Sequence, residues 1–224
     1  MIPPEGDIPG SLVLEATPSG LELRSASERP GQGIRAELTA VHRGNHPLAR
    51  AVRGVAGPVI DATGGLGGDA AVLAALGREL LVFERHPDLF RMLEDAHARL
   101  EDRALADRIH LRRGDACEML PSLSGAFSRP AAIVLDPMYP VRRSASALPP
   151  KAMQLLRRLL AGTAEPDQTT RLVEAAFATA ARRVVLKRPP EADPPAEVGK
   201  PTFSLESKLV RWDVWERGPR SKER

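Results

Sequence analysis

The sequence lacks the features that define several large classes of protein. It has a single cysteine, Cys117, which excludes an internal disulfide framework and a cysteine-based zinc cluster. No stretch approaches the roughly 18 apolar residues of a membrane span, and the first residues lack the basic and apolar regions of a secretory signal. We therefore expect a cytoplasmic protein with no membrane partner and no metal site.

Two catalytic motifs are also missing, and each absence narrows the possible chemistry. No G-x-x-x-x-G-K-[ST] loop occurs, which disfavours phosphoryl transfer, and no G-x-S-x-G nucleophile elbow occurs. The 224 residues are 42% hydrophobic and 27% charged, which is sufficient for one main domain with a buried core. A net charge of +3 leaves a nucleic-acid partner open without establishing one.

The order of apolar patterns predicts an α/β fold with a mostly parallel sheet. Short apolar runs alternate with helical patterns from residue 59 to 188, as in Rossmann-like proteins. Two strands after residue 200 have no helix between them and should form an antiparallel edge hairpin, with Trp212 and Trp215 on opposite faces. The predicted division is a small β-rich N-terminal subdomain over 1–45, the α/β domain over 46–218 and a disordered tail over 219–224.

The segment V-I-D-A-T-G-G-L-G-G-D at residues 59–69 reads as a strand, a glycine turn and the start of a helix. This unit is typical of nucleotide-binding folds, because glycines permit positive φ and let backbone N–H groups approach a ligand. The residues that it offers to a ligand are Asp61, Gly65, Gly67, Gly68 and Asp69. A tight turn that binds no ligand remains the alternative.

Acids follow four of the predicted strands, at Asp61, Glu84, Asp115 and Asp136. Because ligands of open α/β sheets lie beyond the carboxyl ends of the strands, four such acids indicate a ligand with several hydroxyl and amino groups. Glu84 follows Gly65 by close to the roughly 20 residues at which an acid reaches ribose hydroxyls. The alternatives are helix capping by Asp115, and capping or an ion pair with Arg85 for Glu84.

The segment Asp136-Pro137-Met138-Tyr139 suggests the reaction. Proline after a strand-end acid stiffens the backbone and exposes carbonyl groups, which suits a planar base bearing an exocyclic amine. Asp136 and a neighbouring carbonyl would accept from the amine, and Tyr139 would stack on the ring. A plain turn with a packed tyrosine is the alternative.

Basic residues near the strand ends could contact a phosphate backbone, although ordinary solvated charges would look the same. These residues are Arg142, Arg143, Lys151, Arg157, Lys187 and Arg188. A further basic segment runs from His42 to Arg53 and contains a helix that starts at Pro47.

The motifs together resemble a known family. The glycine segment is similar to the first motif of class I S-adenosylmethionine-dependent methyltransferases, and D-P-M-Y to the D/N-P-P-Y/F motif of the amine-methylating branch. With F-E-R-H-P and V-V-L-K-R-P added, the chain resembles the ribosomal RNA small subunit methyltransferase J family from about Leu12 to Glu216. The resemblance implies in-line transfer of a methyl group from S-adenosylmethionine to the N2 amine of a guanine in 16S ribosomal RNA, free or in the small ribosomal subunit.

The resemblance also implies where the methyl donor binds. The implied donor contacts are Gly68, Asp69, Glu84, Arg85, Asp115, Ala116 and Asp136. With the turn residues Asp61, Gly65 and Gly67 these form the predicted cofactor-binding set, and the predicted catalytic residues are Asp136, Pro137 and Tyr139. This chain has Gly68 where the family pattern G-L-G-R-D has a basic residue.

Other functions remain open on the residues alone. A nicotinamide-dependent oxidoreductase would use the glycine turn and Glu84 but leaves the Asp136 motif without a role. A non-catalytic RNA-binding module would use the acids as helix caps. A methyltransferase could also act on a DNA base or a protein amine.

Overall fold

The computed structural model describes residues 11–39, 46–139, 150–163, 167–207 and 209–217. The strands are β1 Leu12–Thr17, β2 Gly20–Ser25, β3 Ile34–Arg35, β4 Val59–Asp61, β5 Leu80–Glu84, β6 Ile109–Arg113, β7 Ala132–Leu135, β8 Arg183–Arg188, β9 Phe203–Glu206 and β10 Arg211–Glu216. The helices are α1 Pro47–Ala51, α2 Gly68–Ala75, α3 Pro87–Ala98, α4 Arg103–Ala106, α5 Ala116–Met119, α6 Lys151–Leu159 and α7 Gln168–Ala178. Across these ranges, no helix has the length and apolar content to cross a membrane.

The large sheet has seven strands in the order β6-β5-β4-β7-β8-β10-β9. The five strands from β6 to β8 are parallel, whereas β10 runs antiparallel to both β8 and β9. The predicted Rossmann-like fold with an antiparallel edge hairpin is therefore confirmed. The strand order reverses between β4 and β7, and in such sheets the ligand crevice lies at this reversal.

Prolines begin two of the helices, and a glycine follows the end of a third. Helices α1 and α3 begin at Pro47 and Pro87, where a missing N–H costs nothing. The preceding residues, His46 and His86, each accept a backbone N–H through Nδ1. Beyond the end of α2, Gly77 has φ +72°, a conformation that most residues resist.

Both faces of the large sheet are buried, because alternate residues of each strand point to opposite sides. On β5, Leu80 and Val82 belong to one core, and Leu81 and Phe83 belong to the other. At the edge hairpin, Trp212 lies in the first core and Trp215 in the second, as predicted from their spacing.

The small sheet, in the order β1-β2-β3, packs against α3 and shares its core with the large sheet. Its hairpin is the one predicted, but β3 is shorter than expected, and the short helix α4 was not predicted. Residues 40–45 and 219–224, where the predicted boundaries fall, lie outside the described ranges. The division of the chain into subdomains therefore stays a prediction.

The glycine turn allows one sharp test of this packing. Gly67 has φ +84°, and a Cβ atom there would lie 2.8 Å from the carbonyl oxygen of Glu37. Because a side chain would be strained at this position, Gly67→Ala should lower the free energy of unfolding by about 1 kcal/mol or more. Gly68 starts α2 with open space around it, so Gly68→Ala is the matched control and should change stability by less than about 0.5 kcal/mol. Equal urea unfolding midpoints for the two variants would contradict the packing of Gly67.

Candidate active site

A cavity of about 330 Å³ opens beyond the carboxyl ends of β4, β5 and β7. One side is polar and is formed by the glycine turn and the strand-end acids. The other side is apolar and comes from the helices α6 and α7. The residues that line it include Thr63, Gly65, Gly68, Asp69, Glu84, Arg85, Leu89, Asp115, Ala116, Cys117, Asp136, Pro137, Met138, Met153, Leu156, Leu160, Thr163, Gln168, Leu172 and Lys187.

The Glu84 carboxylate fixes the glycine turn. Its Oε2 accepts the N–H of Gly65 at 2.7 Å, and its Oε1 accepts the N–H of His86 at 2.7 Å. Burial raises the pKa of Glu84, while these backbone donors oppose that rise. Each oxygen keeps a second lone pair, so Glu84 can hold the turn and still accept from ligand hydroxyl groups.

The glycines of the turn have different roles. A Cβ atom on Gly64 would lie 2.8 Å from a methyl carbon of Val82, so this glycine allows the turn to sit close on β5. Gly65 has φ +54° and lines the cavity, which leaves backbone open to a ligand. Gly67 faces Glu37 and is not part of the cavity lining.

Lys187, at the end of β8, links two acids from different elements. Its Nζ lies 2.7 Å from Oδ2 of Asp136 and 3.0 Å from Oδ2 of Asp69 in α2. Asp136 is further held by its backbone N–H, which donates to Oγ1 of Thr63 at 2.7 Å. Thr63 in turn donates its own N–H to Asp61 at 3.0 Å, so one network joins β4, α2, β7 and β8.

Burial and the charges of neighbouring groups together shift the pKa values of this cluster. Burial raises the pKa of Asp136, although the Lys187 ammonium acts in the opposite direction. Burial would by itself lower the pKa of Lys187, but Asp136 and Asp69 raise it above its usual value. Asp61 is enclosed below the cavity, where burial and the charge of Asp69 raise its pKa to about 7. Lys187 therefore stays charged at neutral pH, while Asp61 titrates there.

Arg85 joins the polar wall to the helical wall. Its guanidinium donates to the carbonyl oxygen of Thr163 at 3.1 Å and to Oε1 of Gln168 at 2.9 Å. It also lies 3.6 Å from Oδ2 of Asp115. Asp115 caps α5 by accepting the N–H of Cys117 at 2.8 Å, so the capping alternative is correct for one of its oxygens.

The structure brings most of the predicted site residues together. Gly65, Gly68, Asp69, Glu84, Arg85, Asp115, Ala116, Asp136 and Pro137 all line the cavity. Asp61, Gly67 and Tyr139 do not. The Tyr139 hydroxyl is buried, with no hydrogen-bond partner among the described residues, so the predicted stacking of Tyr139 on a base stays a prediction.

Two of the predicted phosphate contacts differ from expectation. Lys187 is turned inward to the two acids, and Arg188 is 5% exposed and donates to Asp213 at 2.6 Å. Arg142 and Arg143 lie outside the described residues. Because side chains alternate along a strand, the sequence indicates that Lys187 and Arg188 point to opposite faces of the sheet. It does not indicate which acids each of them contacts.

Cys117 also lines the cavity, and its thiol is unsuited to nucleophilic attack. Burial and the neighbouring Asp115 raise the pKa of Cys117 to about 11, so the thiol stays protonated at neutral pH. The cavity therefore offers acids, a lysine and backbone groups for binding and orientation, without an activated nucleophile from Cys117.

The comparisons with known proteins identify the class of enzyme. Residues 11–217 match the family described as "Putative SAM-dependent methyltransferase", where SAM is S-adenosylmethionine. A solved SAM-dependent methyltransferase from Neisseria gonorrhoeae superposes with a TM-score of 0.68 and 30% identity, covering 99% of this chain and 87% of that one. Fold, cavity and family match together define a methyltransferase that uses S-adenosylmethionine.

The curated relatives specify the branch. A protein from Chromohalobacter salexigens, named ribosomal RNA small subunit methyltransferase J, is 39% identical over 94% of this chain and 87% of its own. A protein of the same name from Thioalkalivibrio sulfidiphilus is 42% identical over 78% of this chain and 69% of its own. The chain belongs to the ribosomal RNA small subunit methyltransferase J family, and nothing in these comparisons favours an oxidoreductase.

The residues present fit S-adenosylmethionine. The donor carries ribose hydroxyls, an adenine amine and a charged amino-acid group. Glu84 is placed to accept from the ribose hydroxyls, and Asp69 offers a carboxylate to the ammonium group. Asp115, which follows β6, offers a carboxylate to the adenine amine. The apolar side chains Leu89 and Leu172 suit the adenine ring.

The raised pKa of Asp61 predicts a pH dependence of stability. Because the native state holds this proton more tightly than the unfolded chain, its stabilising effect is present below about pH 4 and is lost as the pH rises through about 7. Relative to Asp61→Asn, the wild type should therefore lose stability between pH 5 and pH 8 in urea unfolding. An exposed acid, Asp107→Asn, is the control, and a pH-independent difference for Asp61→Asn would contradict the prediction.

Proposed function

We propose that this enzyme transfers a methyl group to the exocyclic N2 amine of a guanine in 16S ribosomal RNA, and that it does so in the cytoplasm. The observation that carries the proposal is the position of Asp136, whose carboxylate borders the donor cavity and is followed at once by the rigid Pro137. The name of the relatives, ribosomal RNA small subunit methyltransferase J, supports the RNA substrate.

Bound S-adenosylmethionine supplies an electrophilic methyl group. The chain contributes orientation, which is the main catalytic device in such a transfer. Lys187 engages Oδ2 of Asp136, and 40% of the Asp136 side chain is exposed. The other oxygen, Oδ1, can therefore accept an N–H of the target amine and direct the nitrogen lone pair towards the methyl group.

Guanine suits this arrangement because its Watson–Crick edge presents the N2 amine beside the N1–H, so two donors face the same direction. An ionised carboxylate has lone pairs for such donors, and the carbonyl group of Pro137 offers another acceptor nearby. A strong base is not required, because the amine becomes acidic only as the new N–C bond forms and the C–S bond of the donor breaks, and its proton can then pass to the Asp136 carboxylate or to solvent. A guanine within folded RNA must leave its stack to reach the cavity.

The function is tested with ribosomal subunits that lack the modification. Small subunits from a strain deleted for its own family member are incubated with the protein and methyl-labelled S-adenosylmethionine, and the RNA is digested to nucleosides. Label in N2-methylguanosine is expected. Label in another nucleoside would contradict the proposed atom, and label in ribosomal protein would contradict the RNA substrate.

Free 16S RNA and assembled subunits are compared in the same assay. A signal from subunits with none from free RNA would identify the assembled particle as the substrate, and the reverse would identify the naked RNA. Heat-denatured subunits control for a target that is merely unexposed.

Asp136 should be essential for transfer and dispensable for binding the donor. We expect Asp136→Ala to reduce turnover by a factor of at least about 100, since orientation of the amine is lost. Binding of S-adenosylhomocysteine, measured by calorimetry, should change only a few-fold. Turnover at the wild-type rate by Asp136→Ala would rule out its assigned role, and loss of the thermal unfolding transition would show instead that the variant is unfolded.

A further inference from the structure

We infer that Lys187 is a positioning residue for methyl transfer, because it holds the Asp136 carboxylate in one orientation and couples it to Asp69 on the donor side of the cavity. The inference rests on the proposed function, in which Asp136 orients the target amine. Neither the family match nor the names of the relatives assigns a role to Lys187.

The sheet itself places Lys187 beside Asp136. Strands β7 and β8 are parallel, with Leu135 opposite Leu186, so the next residues along each strand are Asp136 and Lys187. The Lys187 side chain is 23% exposed and lines the cavity. Its position is therefore set by backbone pairing rather than by a flexible loop.

Two carboxylates share this one ammonium group. Asp136 is at 2.7 Å and Asp69 at 3.0 Å, and each uses its Oδ2 atom. Lysine suits this position, because its compact ammonium has three donors that can meet separate acceptors, whereas an arginine fork favours one bidentate partner. Two of the three donors account for these contacts.

Lys187 lies among three acids. The charges of Asp69 from α2, Asp61 from β4 and Asp136 after β7 repel one another, and Lys187 supplies the positive charge among them.

The charged groups across the cavity already have other partners. Arg85 contacts Thr163, Gln168 and Asp115. Glu84 accepts from backbone groups there.

The remaining neighbours supply no replacement cation. Helices α6 and α7 line the cavity with Met153, Leu156, Gln168 and Leu172, none of which ionises. Arg188, the next residue, is bound to Asp213. Among the described residues that line the cavity, Lys187 is therefore the cation that Asp136 contacts.

Removing the ammonium should have two consequences for Asp136. Its carboxylate would be free to rotate, and it would bind a proton more tightly, since an attracting charge is lost while Asp69 remains. A protonated Asp136 presents an O–H donor towards the amine and orients it poorly. Turnover should fall, and the acid limb of its pH profile should move to higher pH.

Neutralising Asp69 should have the opposite effect on the same limb. In Asp69→Asn a repelling charge is removed and Lys187 is left with a single carboxylate, so Asp136 should ionise more easily. The acid limb of kcat, measured at saturating methyl donor, should then move to lower pH. A purely structural role for Lys187 would not give shifts of opposite sign in the two variants.

The test compares four variants of the full chain on the small subunits used above. We expect Lys187→Met to lower kcat by about 100-fold at pH 7, as for a misplaced catalytic group, with the acid limb displaced upward by about 1 pH unit or more. Lys187→Arg should keep the limb near its wild-type position, since the charge remains, but with reduced kcat. Asp69→Asn should displace the limb downward, and Lys200→Met, an exposed lysine, should behave as wild type.

Binding of S-adenosylhomocysteine and thermal unfolding are measured for each variant. Near-normal binding by Lys187→Met together with the upward shift supports the inference. A wild-type kcat and profile for Lys187→Met would overturn it, as would shifts of the same sign in Lys187→Met and Asp69→Asn. If Lys187→Met does not fold, an unshifted limb in Asp69→Asn overturns the coupling. Failure of the wild-type enzyme to label RNA would count against the proposed function instead.

Discussion

The site depends on one buried carboxylate that organises backbone from two neighbouring units of the sheet. Glu84 ends β5, yet its oxygens bind the N–H of Gly65 after β4 and the N–H of His86 before α3. Burying a carboxylate is costly, and these backbone donors offset part of that cost. The open shape of the glycine turn thus follows from an acid 19 residues away in sequence. Each of its oxygens keeps a lone pair that could accept from a ligand hydroxyl, so one side chain can support the turn and is also predicted to contact the donor.

The acids on the other side of the cavity are stabilised differently. Asp136 and Asp69 share the ammonium of Lys187, while Asp61 accepts from Thr63 and carries a pKa raised to about 7. The Lys187 and Asp136 side chains are 23% and 40% exposed, so solvent screens part of their attraction, and removing one partner would leave the other charge less well compensated. The cluster therefore links β4, α2, β7 and β8 on the polar side of the cavity. In the proposed transfer, such a link would help to hold two substrates in a fixed geometry, on which the rate depends.

Much of the fold and the general position of the site could be predicted from the sequence. Apolar runs of strand length gave the parallel sheet, and the alternation at Trp212 and Trp215 gave the faces of the edge hairpin. Acids at strand ends were predicted to converge, and Glu84, Asp115 and Asp136 all border one cavity. The inward direction of Lys187 was not predicted, because a charged residue at the end of a strand is as often solvated. The role of Gly67 was also missed, since the turn alone does not reveal that Glu37 lies against it.

That contact gives the N-terminal sheet a part in the site. The N–H of Glu37 donates to the carbonyl oxygen of Leu66 within the glycine turn at 2.9 Å, and Gly67 packs against the same segment. On the other side of the cavity, Lys151 at the start of α6 reaches Glu28 in the loop after β2 at 2.5 Å. Helix α6 supplies Met153 and Leu156 to the apolar wall. The N-terminal segment therefore contacts both the polar turn and the helix opposite it, although none of its described residues lines the cavity.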